Sequence, residues 1–399
     1  MAAKAEMSQS DWSRMERGVS NAADHVPTLR RVARALEVPV HTLIPDEEST
    51  VKRRQLLDLT VKAAVGLTAA GTLPTVQAKL GPVVTRDDVE LLQTRVDELY
   101  ARDNLAGGGV VLREAERLYR LAENLLNAGH YPDSLTDSLL SATGTVAGAA
   151  AWFAFDSGDR PRADFYAARA LTLTEEMCAP DEALLIRVVD LLAFQSMAPG
   201  SARVAVRRSA RLASLTRRHP SHRLQALVAS REAVAAATAG RKDLYDNAIR
   251  QAWRELDRSD SADVAREPAW MAFIGEAEIR NLQARGLGFL GEHSSAVELF
   301  RETIGTAGVF PRDEASHRAY LTASLIDIGD TRSAVQEGEL VLDILAGRTA
   351  SPRLLTALMP LRRAVAAGRD DAACQFRSRF DKLTAREPNA AAASPTSLK

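Results

Sequence analysis

At 399 residues, with 46% hydrophobic and 26% charged side chains, the chain is too long for one hydrophobic core and too apolar for a wholly disordered or collagen-like protein. A formal net charge of -1 excludes a global pull toward nucleic acid, so any DNA contact has to come from a local surface. Aromatics are only 5%, and Ala, Leu, Arg and Glu dominate, which is the composition of closely packed helices.

The first segment, residues 1–45, is polar and carries the sharpest motif. Met7 to Gly18 reads MSQSDWSRMERG, and HVPTLRRVARALEVPVHTLIP runs from His25 to Pro45. Together these stretches resemble the turn, recognition helix and following helices of the phage-repressor (XRE-type) helix-turn-helix family, with Leu29, Val32, Ala33 and Leu36 at its core positions. The resemblance implies a DNA operator as partner. It assigns Ser8 as the helix cap, places Gln9, Ser10 and Arg14 toward the major groove, and adds Ser13 and Arg17 to the DNA-binding set. Gln bonds adenine bidentately and Arg does so with guanine. Trp12 and Met15 turn inward, while Asp11 sits near the groove, where a carboxylate is repelled by phosphate unless it accepts from cytosine. The family's first helix and most of its second would precede Ala2, so a competent domain needs further residues upstream; the alternative is a vestigial, non-binding remnant.

Residues 46–85 read as an acidic hinge, Asp46, Glu47 and Glu48, and a connecting helix. Lys52-Arg53-Arg54 ahead of Leu56 to Val76 resembles a twin-arginine export signal. Asp58, Lys62 and Pro74 interrupt the run, however, and Leu56, Leu59, Ala63 and Leu67 recur at helical spacing, which favours an amphipathic helix and no membrane span. The opening residues show no secretory pattern, and Cys178 and Cys374 are too far apart for a redox or zinc motif, so a cytoplasmic protein is expected.

From 86 to 383 a repeat governs the chain. A glycine is followed five residues later by alanine at Gly158/Ala163, Gly200/Ala205, Gly291/Ala296, Gly329/Ala334 and Gly368/Ala373, with successive glycines roughly 40 residues apart or multiples of that. A further unit turns at Gly240, where Tyr245 replaces the small residue. In a helical hairpin the glycine ends the first helix in a left-handed conformation, and the small residue lets the second helix pack closely. Around the first unit, Ala151, Ala154, Ala163, Ala167 and Ala170 supply close packing, and Trp152, Phe155, Phe165 and Leu171 supply bulk; around a later one Ala296, Phe300 and Ile304 share a face. These units resemble tetratricopeptide repeats over about three quarters of the chain, with a longer period that turns such as Pro180-Asp181 and Arg258 to Glu267 would explain. The predicted fold is all-α, a partial helix-turn-helix followed by a solenoid of about six or seven hairpins. Residues 384–399, rich in Ala, Pro and Ser, read as a disordered tail.

Weaker signals remain. Arg203, Arg207 and Arg211 form a basic stripe at helical spacing, either a partner groove or a solvated face. His219 and His222 flank a proline and lack acidic partners, so no metal is expected. Gly107-Gly108-Gly109 lacks the lysine of a phosphate loop and reads as a flexible join; Trp253 and Trp270 read as core. No nucleophile elbow or zincin pattern is present, so neither catalytic residues nor a cofactor is expected. Regulators that pair such a head with such an array imply a DNA-binding protein whose repeats dock a peptide or protein and control a homodimer. A repeat scaffold with a vestigial head, and an exported binding protein, are the alternatives.

Overall fold

The computed structural model describes residues 83–386 apart from 199, 260–266, 306–309, 348 and 369. The helix-turn-helix segment with Ser8, Gln9, Ser10, Ser13, Arg14 and Arg17, the hinge, the connecting helix and the chain beyond Arg386 lie outside the described residues. The described residues are all-α, with one isolated bridge between Val83 and His130. They form seven hairpins: α1 (Arg86–Ala106) with α2 (Gly108–Ala128), α3 (Thr136–Asp156) with α4 (Arg160–Glu176), α5 (Glu182–Gln195) with α6 (Ala202–Thr216), α7 (His222–Thr238) with α8 (Lys242–Asp257), α9 (Glu276–Phe289) with α10 (His293–Thr303), α11 (Pro311–Asp327) with α12 (Thr331–Gly347), and the short α13 (Pro352–Ala357) and α14 (Met359–Ala364) with α15 (Asp371–Arg386).

The repeated turns explain this series. Gly158, Gly200, Gly240, Gly291 and Gly329 all have positive φ. In four of these turns the next residue's amide returns to a carbonyl five residues back, as Asp159 N to Ala154 O at 2.9 Å, Arg241 N to Ala236 O at 2.9 Å, Glu292 N to Leu287 O at 2.9 Å and Asp330 N to Leu325 O at 2.9 Å. These bonds satisfy carbonyls that the helix end leaves orphaned. Asp330 and Asp370 then accept from Ser333 N at 3.1 Å and Ala373 N at 2.9 Å, so one turn both ends a helix and caps the next. The small residues beyond the turns, Ala163, Ala205, Ala296, Ala334 and Ala373, are all buried. Phe165, expected to supply bulk, is exposed, and its neighbour Tyr166 is buried in its place.

The unit with Tyr245 keeps the same geometry by moving the small residue across the contact. Tyr245 is buried, its hydroxyl donates to the Gln283 carbonyl at 2.7 Å, and a Cβ on Gly286 of α9 would overlap its ring. Gly286→Ala is therefore expected to cost about 1–3 kcal/mol by overpacking. In a Tyr245→Ala background the same change should become neutral or stabilising by up to about 1 kcal/mol, because Ala is the better helix former. Urea unfolding of the four proteins checks this; equal costs in both backgrounds would refute the compensation.

First and second helices divide the labour. Thirteen of the 17 residues of α7 are buried, against three of 16 in α8, which places the first helices inside and the second helices around them. The most apolar helix, spanning Asp133–Asp156, is long and apolar enough to cross a bilayer, but 72% of its apolar window is buried in protein. Gly144 on α3 admits Leu184 of α5, whose side chain fills the space a Cβ would take.

The series does not end as an open groove. α11 packs on α1 and α13 packs on α3, so the sixth and seventh hairpins meet the first two. Ala350, ahead of α13, lies across the α1–α2 turn, donating to Ala106 O at 2.7 Å and accepting from Gly109 N at 3.0 Å. Asp156, fully buried at the end of α3, accepts from Gly108 N at 2.9 Å, Ser351 Oγ at 2.7 Å and Arg353 Nε at 3.1 Å. Gly107 to Gly109 is thus no flexible join: it is the seat on which the end of the array rests.

Candidate ligand-binding cleft

Closure brings the first helices around one open-mouthed cleft. Every lining residue on a helix comes from a first helix, and Trp270 and Phe273 come from the loop before α9. That follows from the fold: side chains on the inner helices that do not face a neighbouring hairpin can only face the centre.

Aromatic rings form the walls and guanidiniums stack on them. Arg187 lies 4.8 Å from the Trp270 ring, 5.5 Å from Tyr100 and 5.6 Å from Trp152; Arg312 lies 5.3 Å from Trp152. The planar guanidinium is suited to such stacking while its edge still donates hydrogen bonds. Carboxylates answer most of these charges. Asp190, 1% exposed, accepts from Arg231 Nε at 2.9 Å and Arg187 Nη1 at 3.4 Å. Glu278 accepts from Arg231 Nη1 at 3.4 Å and Asn281 Nδ2 at 3.2 Å, and burial pushes its pKa up. Asp103 binds the Trp152 indole N–H at 2.8 Å and pairs with Arg312, which also reaches Asn104 Oδ1 at 3.2 Å, across 208 residues of sequence. Removing charges from water is costly unless they are paired in this way.

Several polar atoms here are shut off from solvent without a protein partner: Asp103 Oδ1, Asn281 Oδ1, His317 Nδ1 and Arg353 Nη1, each on a lining residue. Buried polar atoms are normally satisfied, so these four are open to a partner from outside the chain, a water or a ligand group. The set holds both acceptors and a donor, which is the requirement of an amide-bearing ligand.

Two groups titrate in opposite senses. Burial pushes His317 down to about 4, against the pull of Asp313 and Glu314, and pushes Asp103 up to about 6, against Arg312. The folded histidine is depressed from 6.5, so its contribution to stability is full above that value and is lost as pH falls toward 4. The folded Asp103 is raised from 3.8, so its contribution grows as pH falls through 6 toward 4. Removing the histidine leaves the second slope unopposed. His317→Gln should gain on the native protein by roughly 1.4 kcal/mol per pH unit between pH 6 and 4, read by urea unfolding at several pH values. A constant difference would show that the imidazole is not held neutral in the fold.

The sequence-predicted residues fall elsewhere. Arg203, Arg207 and Arg211 are exposed on α6, and none of them lines the cleft. Trp253 is half-buried, donating to Gln283 Oε1 at 3.0 Å, whereas Trp270 packs against the core and also lines the cleft. His222 Nδ1 lies 2.9 Å from Glu255 Oε2, and His219 Nδ1 accepts from Ser221 N at 3.2 Å. Cys178 and Cys374 are exposed and unbridged. Sequence reasoning missed Asp103, Arg187, Arg231, Arg312 and Arg353 altogether. A signal existed: single charged residues inside helices otherwise apolar all round, as in ALLIRVVDLLAF, where burial of the charge is unavoidable.

No protein-family description matches the chain, and no curated protein matches it. Among solved structures, it is similar to the crystal structure of a Rap protein complexed with competence and sporulation factor, at 11% identity, with a TM-score of 0.49, over 76% of this chain and 78% of that one.

Proposed function

We propose that the chain is a cytoplasmic, non-enzymatic receptor that takes a short peptide, or a peptide segment of a protein, into the central cleft. The observation that carries this reading is the gathering of unpartnered buried acceptors and a donor between aromatic walls, on helices that belong to separate hairpins. A ligand touching several first helices at once would couple their positions, and repeat arrays transmit such shifts from neighbour to neighbour. In this reading the output lies at the N-terminus: residues 7–45, by their resemblance to repressor heads, read an operator as a homodimer, with Gln9, Ser10 and Arg14 at base edges and Ser13 and Arg17 beside them.

The test has two arms. Affinity selection of a random octapeptide mixture on the full chain should enrich defined sequences, and Asn281→Leu, which removes an acceptor without breaking an ion pair, should weaken the enriched peptides by roughly tenfold. No enrichment would refute the receptor. Electrophoretic shift of genomic fragments, with and without an enriched peptide, should reveal a preferred sequence whose affinity the peptide alters. Binding no sequence better than bulk DNA would leave an interaction scaffold with a vestigial head.

A further inference from the structure

Four buried or nearly buried arginines line the cleft, a fifth, Arg285, stacks on Phe194 in its wall, and their ion pairs can be followed one by one. Arg187 and Arg231 share Asp190, Arg231 also reaches Glu278, Arg312 pairs with Asp103 and Asp313, and Arg353 pairs with Asp156. Arg285 has no carboxylate partner among the described residues. It is 7% exposed, its Nη2 makes one long bond to Met197 O at 3.4 Å, and its Nε and Nη1 are enclosed with no partner. Its guanidinium lies 4.1 Å from the Tyr320 ring and 5.3 Å from the ring of Phe194.

Phe194 is the meeting point. Arg231 lies 4.7 Å from the same ring and Arg353 5.7 Å, so three guanidiniums crowd one phenyl group that lines the cleft. Arg231 and Arg353 are paired with carboxylates, so Arg285 is the charge left unanswered, and ring stacking offsets only about 1–2 kcal/mol of its burial and its repulsion with them. Burial lowers the pKa of Arg285, with Arg231 and Arg353 acting in the same direction against Tyr320 and Glu278. Arg353 adds a third enclosed N–H group without a partner, at Nη1. An incoming anion would meet these donors and relieve the repulsion in one step. A planar, bidentate carboxylate matches the guanidinium fork. The unpartnered acceptors of Asn281 and Asp103 in the same cleft suit the N–H groups of the chain that carries it.

We propose that the Phe194 end of the cleft is a carboxylate clamp, in which Arg285 and Arg353, flanked by Arg231, hold the C-terminal carboxylate or an acidic side chain of the bound peptide. The inference rests on the receptor reading and adds the chemistry of its ligand. Three random octapeptide pools distinguish the outcomes on the full chain: free C-termini without Asp or Glu, amidated C-termini with Asp and Glu, and amidated C-termini without either.

Enrichment from the first pool by roughly tenfold or more over the third identifies the C-terminus, and enrichment from the second identifies an acidic side chain. Arg285→Met, of similar volume and apolar, should reduce the preference to about twofold, and Arg285→Lys should restore part of it. A circular dichroism melt of each variant separates lost binding from lost folding. Equal enrichment from the third pool overturns the clamp and leaves the receptor standing; enrichment from none of the pools overturns both.

Discussion

Asp156→Ala is expected to lower the unfolding free energy by about 3–5 kcal/mol, the cost of deleting one partner of a buried ion pair. The carboxylate is fully buried and accepts from a backbone amide of the second helix, from Ser351 and from Arg353. Its loss leaves a guanidinium and two donors unanswered at the junction where the last hairpin meets the first. For a repeat domain of this length the effect should be a fall in Tm of roughly 5–10 °C in calorimetry. Asp156→Asn, which keeps an acceptor but removes the charge, should fall between. A loss below about 1 kcal/mol would mean that closure contributes little to the fold, and the cleft would then have to be regarded as open at that end.

Gly107→Ala is expected to cost about 3 kcal/mol or more, the second large effect, and it acts on the same seam. Gly107 has φ 80° and ψ 159°, a region that is essentially glycine-only and costs other residues about 1–3 kcal/mol. An added Cβ would also stand 2.5 Å from Ala350 O and 2.8 Å from its carbonyl carbon. The obstacle is backbone, so the loop before α13 must retreat and give up its bonds with Ala106 and Gly109. Gly240 and Gly291 provide the control. They have φ of +67° and +81° with nothing within 4 Å of a built Cβ, so alanine there should cost about 1–2 kcal/mol from conformation alone. Urea unfolding of the three variants checks the ranking, and equal costs would remove the claim that Gly107 seats the end of the array.

The hairpins were legible in the sequence because each turn makes two local demands that leave a trace. A positive φ selects glycine, as at Gly158 and Gly329, and close approach selects alanine five residues on. Where the demand is met across the contact, as by Gly286 against Tyr245, the local pattern is blind, since the two residues lie on different hairpins. Closure was invisible for the same reason. Gly107 to Gly109 reads as a linker until Ala350 is found against it, and Arg312 meets Asp103 only because the array turns back on itself. Residue-type statistics also mislead about the cleft: arginine is mostly exposed, so the stripe Arg203, Arg207 and Arg211 draws the eye, while the arginines gathered around Phe194 are buried inside.

The stability effects and the clamp all follow from one arrangement, inner helices closing around a polar cleft that receives a ligand. Hydrogen exchange of the full chain with and without an enriched octapeptide tests that arrangement most directly. Slowed exchange in α1, α5, α9 and α11, with α6 and α8 unchanged, is the predicted result. Protection confined to the face of α6 bearing Arg203, Arg207 and Arg211, with the inner helices unaffected, would contradict it.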